Sequence, residues 1–180
     1  MLGALIRRPG SRGTVYLLLD HSASMSDEGK MAGLTRGSLR LFAEARGREY
    51  AVGIIGFADH AATLLQASCD AGRFRARLLT LKPAGRTAMA QAIGLATRKL
   101  RRRPGDKTIL LVTDGMPNDR AATLRAARLA RAQGVTLIAI GIGHVDEAFL
   151  AALTPKPEFA HKVAVKQLEE TLGDVVKVLS

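Results

Sequence analysis

Thr14-Val15-Tyr16-Leu17-Leu18-Leu19-Asp20-His21-Ser22-Ala23-Ser24 reads as a buried strand that runs into a polar loop. The first six residues show no alternation of apolar and polar side chains. A strand of that kind is covered on both faces, as in parallel sheets flanked by helices. Two further runs repeat the pattern. Tyr50–Phe57 is apolar throughout, with Gly53 and Gly56 expected to allow close packing, and Lys107–Thr113 ends in Thr113-Asp114-Gly115.

Between these runs the apolar spacing becomes helical. Gly29–Arg46 carries Met31, Leu34, Leu39, Leu41 and Phe42 near the spacing of one helix face. Ala61–Gln66 is short and follows the turn residues Asp59-His60, so it is expected to return antiparallel. Asp70 is a suitable N-cap for a helix reaching about Leu79. Thr87 to about Arg101 is Ala-rich and helical, and Pro104-Gly105 stops it. Asn118 or Asp119 can cap a helix to Ala132, which Gln133-Gly134 ends. Val135–Ile142 is the next strand and Asp146–Leu153 a short helix. Lys162–Val165 is expected as the last strand and Gln167–Leu179 as the last helix. Alternating strands and helices of this kind imply an α/β fold with a mainly parallel sheet and helices on both faces. Residues 1–13 read as a flexible basic arm before a single domain over 14–180.

In such sheets ligands bind beyond the carboxyl ends of the strands, where the winding direction reverses. Asp20 and Asp114 both end strands, and Thr87 opens the helix before the Lys107–Thr113 strand. If that strand neighbours Thr14–Leu19, the three segments converge. Ser22 and Ser24 lie two apart, so in an extended loop both side chains face one way. Two carboxylates (Asp20, Asp114) and three hydroxyls (Ser22, Ser24, Thr87) are hard oxygen donors suited to Mg2+ or Mn2+, in preference to Ca2+. Asp27, Glu28 and Asp119 are near enough in sequence to shape the rim, and Arg86 and Arg120 are near enough to steer an acidic group.

Asp-x-Ser-x-Ser, a distant Thr and a distant Thr-Asp-Gly resemble the metal-ion-dependent adhesion site (MIDAS) of von Willebrand factor type A (VWA) domains. Met25, Gly53, Phe57, the Gly85–Thr87 loop and Ile140-Gly141-Ile142-Gly143 resemble other recurring positions of that family, and the likeness spans about residues 14–179. Two positions depart from the family's pattern. Ala23 stands where a Gly is common between the serines, which tests whether that position needs positive φ. Arg86 stands where a Gly usually precedes the Thr, bringing a cation that can either weaken metal binding or steer an incoming carboxylate. The resemblance implies a Rossmann-like α/β/α sandwich with six strands in the order 3-2-1-4-5-6, the short third one antiparallel. It also implies a metal held by Asp20, Ser22, Ser24, Thr87 and Asp114, and a protein partner that presents an Asp or Glu. The Cys-poor, basic chain resembles the family's bacterial intracellular members more than its adhesion receptors, and since some of those members work with AAA+ ATPases, the resemblance implies an adaptor for such an ATPase as one expectation.

Composition bounds the alternatives. The 180 residues carry 27 Lys and Arg against 16 Asp and Glu, a formal charge of +11. From Asp146 onward there are six acidic and four basic residues, so residues 1–145 carry +13. That field attracts acidic partners or nucleic acid. A charge-driven nucleic-acid binder is the alternative reading, although no basic run interleaves with aromatics as a stacking platform does. Arg98, Lys99, Arg101, Arg102 and Arg103 are the densest basic run and are expected at the end of the sheet away from the metal. The single Cys69 excludes an intrachain disulfide. No apolar run approaches a membrane span of about 18 residues, the first residues are too short for a signal peptide, and a cytoplasmic protein is expected. A metal-dependent phosphoesterase with Asp20 as nucleophile fits less well. Asp20 lacks a second Asp two residues on, no lysine is evident beside the loops, and no phosphate loop or Ser/His/Asp order is present. No enzymatic turnover is expected.

Overall fold

The computed structural model describes residues 12–27 and 29–179. Arg12 and Gly13 belong to the folded body, with Arg12 N–H donating to Glu49 O at 3.2 Å. The rest of the expected basic arm, and Glu28, lie outside the described residues.

Among the described residues six strands form one sheet in the order β3-β2-β1-β4-β5-β6. They are β1 (Gly13–Asp20), β2 (Tyr50–Phe57), β3 (Ala61–Ser68), β4 (Asp106–Thr113), β5 (Thr136–Ile142) and β6 (Ala160–Val163). β3 pairs antiparallel with β2, and the other pairings are parallel. The helices are α1 (Lys30–Gly47), α2 (Ala71–Leu78), α3 (Met89–Leu100), α4 (Arg120–Ala132), α5 (Glu147–Leu153) and α6 (Leu168–Val175). The mainly parallel sheet is the one that the apolar runs imply, and its strand order is that of the Rossmann-like sandwich that the family resemblance implies.

The unbroken apolar run of β1 has a direct cause. All eight of its residues are buried, because β2 and β4 flank it and helices cover both faces. Val15, Leu17 and Leu19 enter the core with Leu34 and Leu41 of α1, Phe74 of α2 and Leu172 of α6. Tyr16 and Leu18 point the other way, toward Ile93 of α3, Ala127 of α4 and Phe149 of α5. The two-residue period of the strand thus feeds two separate cores. Gly53 serves the second of them, since a Cβ there would sit 2.4 Å from the Tyr16 ring.

The larger boundary differences from the sequence reading fall at β3, α3, β6 and the last helix. β3 runs to Ser68, two residues beyond Gln66, and with eight residues it is as long as β1, not short. α3 begins at Met89, two residues after Thr87, because the backbone of Thr87 is engaged elsewhere, as described below. β6 is Ala160–Val163 and not Lys162–Val165. Its partner β5 ends at Ile142, which pairs with Val163, so nothing remains for Ala164 or Val165 to pair with. Those residues instead enter a 3-10 turn at Val165–Gln167, where Gln167 N–H donates to Ala164 O at 2.9 Å. The last helix is α-helical only to Val175 and tightens to a 3-10 turn over Val176–Val178.

The capping expectations for Asp70 and for Asn118 or Asp119 find their partners, and Asp146, expected as the first residue of its helix, caps it instead. Asp70 accepts from Arg73 N–H, Asp119 from Ala122 N–H and Asp146 from Phe149 N–H, at 2.8–2.9 Å. Asp119, not Asn118, caps α4, and Asn118 has a different task.

Candidate metal centre

The register sets the site. Leu19 of β1 is level with Val112 of β4, so Asp20 comes level with Thr113, and Asp114 follows at the same edge. Asp20 is fully buried, and both its oxygens are engaged. Oδ1 accepts from Ser22 N–H at 2.8 Å and Oδ2 from the Thr113 hydroxyl at 2.5 Å. Burial pushes the Asp20 carboxyl above the usual carboxylate range. The Ser22 and Thr113 hydrogen bonds pull the other way, and the Asp114 charge adds to the upward push. Thr113 was not singled out in the sequence; its position directly before Asp114 at a strand end is the signal that could have found it.

Ser22 and Ser24 do come together, but not through an extended loop. Ser22 (ψ 167°) precedes a 3-10 turn over Ala23–Ser26. The turn brings the two hydroxyl oxygens to 3.2 Å, and Ser24 donates to Asp114 Oδ1 at 2.7 Å. Ala23 sits inside this turn. Glu49 is the non-glycine residue with positive φ among those described, so position 23 has no need of glycine and the departure from the family's pattern costs no strain.

Thr87 is held by a reciprocal pair with Asn118. Thr87 N–H donates to Asn118 Oδ1 at 3.0 Å, and Asn118 N–H donates to Thr87 O at 3.0 Å. The first loop is tied to the second in the same manner, by Ala23 N–H to Gly85 O at 3.1 Å and Ala84 N–H to His21 O at 2.8 Å. Three chain segments that meet only in the fold are therefore joined backbone to backbone. The Thr87 hydroxyl makes no hydrogen bond with a described residue, which leaves its oxygen available. His21 turns away from the cluster and its Nδ1 lies 3.0 Å from Lys82 O.

The rim differs in detail from the sequence reading. Arg86 is exposed, and its N–H is fixed by Asp59 Oδ1 at 2.9 Å. Arg120 is committed sideways: its guanidinium donates to Asp146 Oδ2 at 2.8 Å and stacks 4.7 Å from the centre of the Phe149 ring. Asp119 is occupied as a helix cap, and Asp27 bonds Lys30.

Lys30 is the residue that the sequence reading missed, and it overturns the statement that no lysine lies beside the loops. Its ammonium donates to Asp114 Oδ2 at 2.7 Å, to Ser24 O at 3.0 Å and to Asp27 Oδ2 at 3.0 Å. Burial works against the charged amine, but the hydrogen bonds to Asp114 and Asp27 outweigh it and hold the pKa above the usual lysine range.

Among the described residues no group of three or more His, Cys, Asp or Glu could hold a metal ion. A cation at this edge would depend on hydroxyl oxygens beside the two carboxylates. The donor set is all oxygen and suits a hard divalent cation that keeps part of its water.

The arrangement and its fold decide the family. The sequence pattern of the von Willebrand factor type A domain matches residues 14–177. The chain belongs to that family. Among curated VWA relatives, protein NorD of Brucella suis biovar 1 (strain 1330) is 35% identical over 114 residues, which is 58% of this chain and 18% of that protein. The chain thus matches less than a fifth of the length of this relative. The fold recurs in solved structures. The vWF domain of the type V pili tip protein Mfa5 from Porphyromonas gingivalis superposes with TM-score 0.85 at 10% identity, covering 94% of this chain and 95% of that one. Proximal thread matrix protein 1 from the mussel byssus, with a zinc-occupied MIDAS motif, gives TM-score 0.79 at 19% identity, covering 92% and 47%. Manganese-loaded TRAP protein of Plasmodium vivax gives 0.75 at 20%, covering 91% and 72%. Proteins that share this fold therefore include ones with a divalent metal bound.

Proposed function

We propose that this VWA domain is a metal-dependent protein-interaction module. Asp20, Ser22, Ser24, Thr87 and Asp114 hold a Mg2+ or Mn2+ ion, and the ion accepts an Asp or Glu side chain of a partner protein. The observation that carries this reading is that hydrogen bonds join the three loops bearing Asp20, Ser22 and Ser24, then Thr87, then Asp114, at one sheet edge. The ion would supply a positive, carboxylate-accepting centre. The protein's own part is to fix the oxygens and to place Arg86 at the rim, where its charge steers an incoming carboxylate. An AAA+ ATPase is the partner class to test first.

Capture fits this geometry better than turnover. A nucleophilic Asp20 needs an oxygen that can reach substrate, yet both its oxygens accept hydrogen bonds at zero exposure. Lys30 lies on Asp114, not on Asp20, so it does not rescue a phosphoesterase. A charge-driven nucleic-acid binder remains the competing reading. Arg103 Nε donates to Thr14 Oγ1 at 3.1 Å at the start of β1, so the basic run Arg98–Arg103 lies at the opposite end of the sheet from the metal centre. Such binding would weaken steeply with salt and ignore EDTA.

Thr87→Ala is the direct test. It deletes one oxygen and leaves both Thr87–Asn118 backbone contacts intact, so the fold should persist while Mn2+ affinity falls by about tenfold or more, as for loss of a metal-site contact. Calorimetry with Mn2+ reads this, and unchanged affinity sinks the assignment. With a partner in hand, the complex should dissociate in EDTA. Arg86→Glu should slow association, since rim charges act mainly on the on-rate.

A further inference from the structure

Lys30 is the first residue of α1, and no sequence signal explains a cation there. The N-terminus of a helix carries partial positive charge, so a lysine at its first position is disfavoured. The structure shows what offsets this. The ammonium spends all three of its donors on Asp114 Oδ2, Ser24 O and Asp27 Oδ2. The side chain is 15% exposed and that of Asp114 1%. The Asp114 pair is thus shielded from solvent, whereas Asp27, at 72% exposure, sits in water. Of the two Asp114 oxygens, one accepts from Ser24 and the other from Lys30.

We infer that Lys30 is an internal competitor of the divalent cation: its ammonium neutralises Asp114 in the metal-free protein and must yield that carboxylate for a metal to bind, so Lys30 sets the metal affinity of the site. This rests on the assignment of Asp114 to the metal centre made above. The mechanism is exchange of one counter-charge for another. Asp27, already within reach of the same ammonium, gives it a solvated place to rest once it leaves Asp114. The consequence is a domain whose acidic edge is never left without a cation and whose metal occupancy depends on divalent concentration over a window that Lys30 raises.

The experiment uses wild type, Lys30→Met and Lys30→Gln, each with and without Thr87→Ala, stripped with EDTA and dialysed at one pH and ionic strength. Mn2+ binding is measured by calorimetry and melting by differential scanning fluorimetry. Both Lys30 variants should bind Mn2+ about tenfold or more tightly than wild type, the scale of one charge-assisted hydrogen bond removed from the competition. The stripped variants should melt below stripped wild type, because Asp114 has lost its cation, and saturating Mn2+ should close that gap. Equal or weaker Mn2+ binding by the Lys30 variants, with Thr87→Ala still lowering affinity in every background, overturns the competition and leaves the site standing. Thr87→Ala without effect in any background removes the site itself, and this proposal with it. Met and Gln are both unbranched at Cβ and one atom shorter than lysine, one apolar and one amide, so a folding defect in one does not disable the test.

Discussion

Asp20→Asn should abolish the melting shift produced by Mn2+ and leave the EDTA-treated protein at least as stable as wild type. Most substitutions of a fully buried, doubly hydrogen-bonded residue destabilise. Here the charge itself is the burden. Asp20 is buried, and that burial, with the Asp114 charge adding to it, disfavours its ionised form in the folded protein. The amide keeps the geometry. Its oxygen can accept from Ser22 N–H, and its NH2 can donate to the Thr113 hydroxyl, which can turn toward Gly115 O at 3.3 Å. A buried charge is removed and no partner is orphaned. Stabilisation should appear as roughly 2–4 °C in Tm for each kcal/mol relieved, in a domain of this size. The metal loses a charged oxygen, and the stabilisation that it supplies by binding the native state disappears. Melting curves with and without Mn2+ decide the matter. A persistent shift, or a stripped variant that melts far below wild type, refutes it.

Gly105→Ala should be as damaging to the fold as Asp20→Asn is to the site. Gly105 has φ +70°, and a Cβ there would lie 2.1 Å from the carbonyl oxygen of Arg12. That oxygen accepts from Asp106 N–H at 3.0 Å, where β1 enters between β2 and β4. Left-handed backbone costs an L-residue about 1–2 kcal/mol, and overpacking against an immobile carbonyl adds roughly 1–3 kcal/mol. At about 3 kcal/mol together, Tm should fall by roughly 6–12 °C. The position lies at the far end of the sheet from Asp20, so Mn2+ affinity of the folded protein should not change. An unaltered Tm would show that the strand entry yields more easily than the contact distances imply.

Much of the fold was legible because burial on both faces writes itself into β1, β2 and β4 as unbroken apolar runs. Four Asp or Gly signals marked element ends for local reasons. Where pairing or tertiary contact decides, the local signal failed. Lys-Val-Ala-Val looks like a strand, but β5 stops opposite Val163. Thr87 looks like a helix start, but Asn118, 31 residues away in sequence, takes up its backbone. The oxygen donors at the metal centre were visible as a pattern of residue types at strand ends. Lys30 was not, since a lysine at a helix start reads as solvated, and its partner Asp114 is 84 residues away. The turn that gathers Ser22 and Ser24 was also invisible, because Ala23-Ser24-Met25-Ser26 carries no local signal that separates a 3-10 turn from an extended loop.

The backbone bonds that join the loops bear on the kinetics of capture. Each segment that must be ordered on association subtracts from affinity, and a site assembled only on contact also binds slowly. With Ala23 fixed to Gly85, Ala84 to His21 and Thr87 to Asn118, that ordering has been completed during folding. Encounter with a partner should then proceed as a docking of two shaped surfaces, in a single kinetic phase, and the lifetime of the complex rather than its rate of formation should distinguish one partner from another.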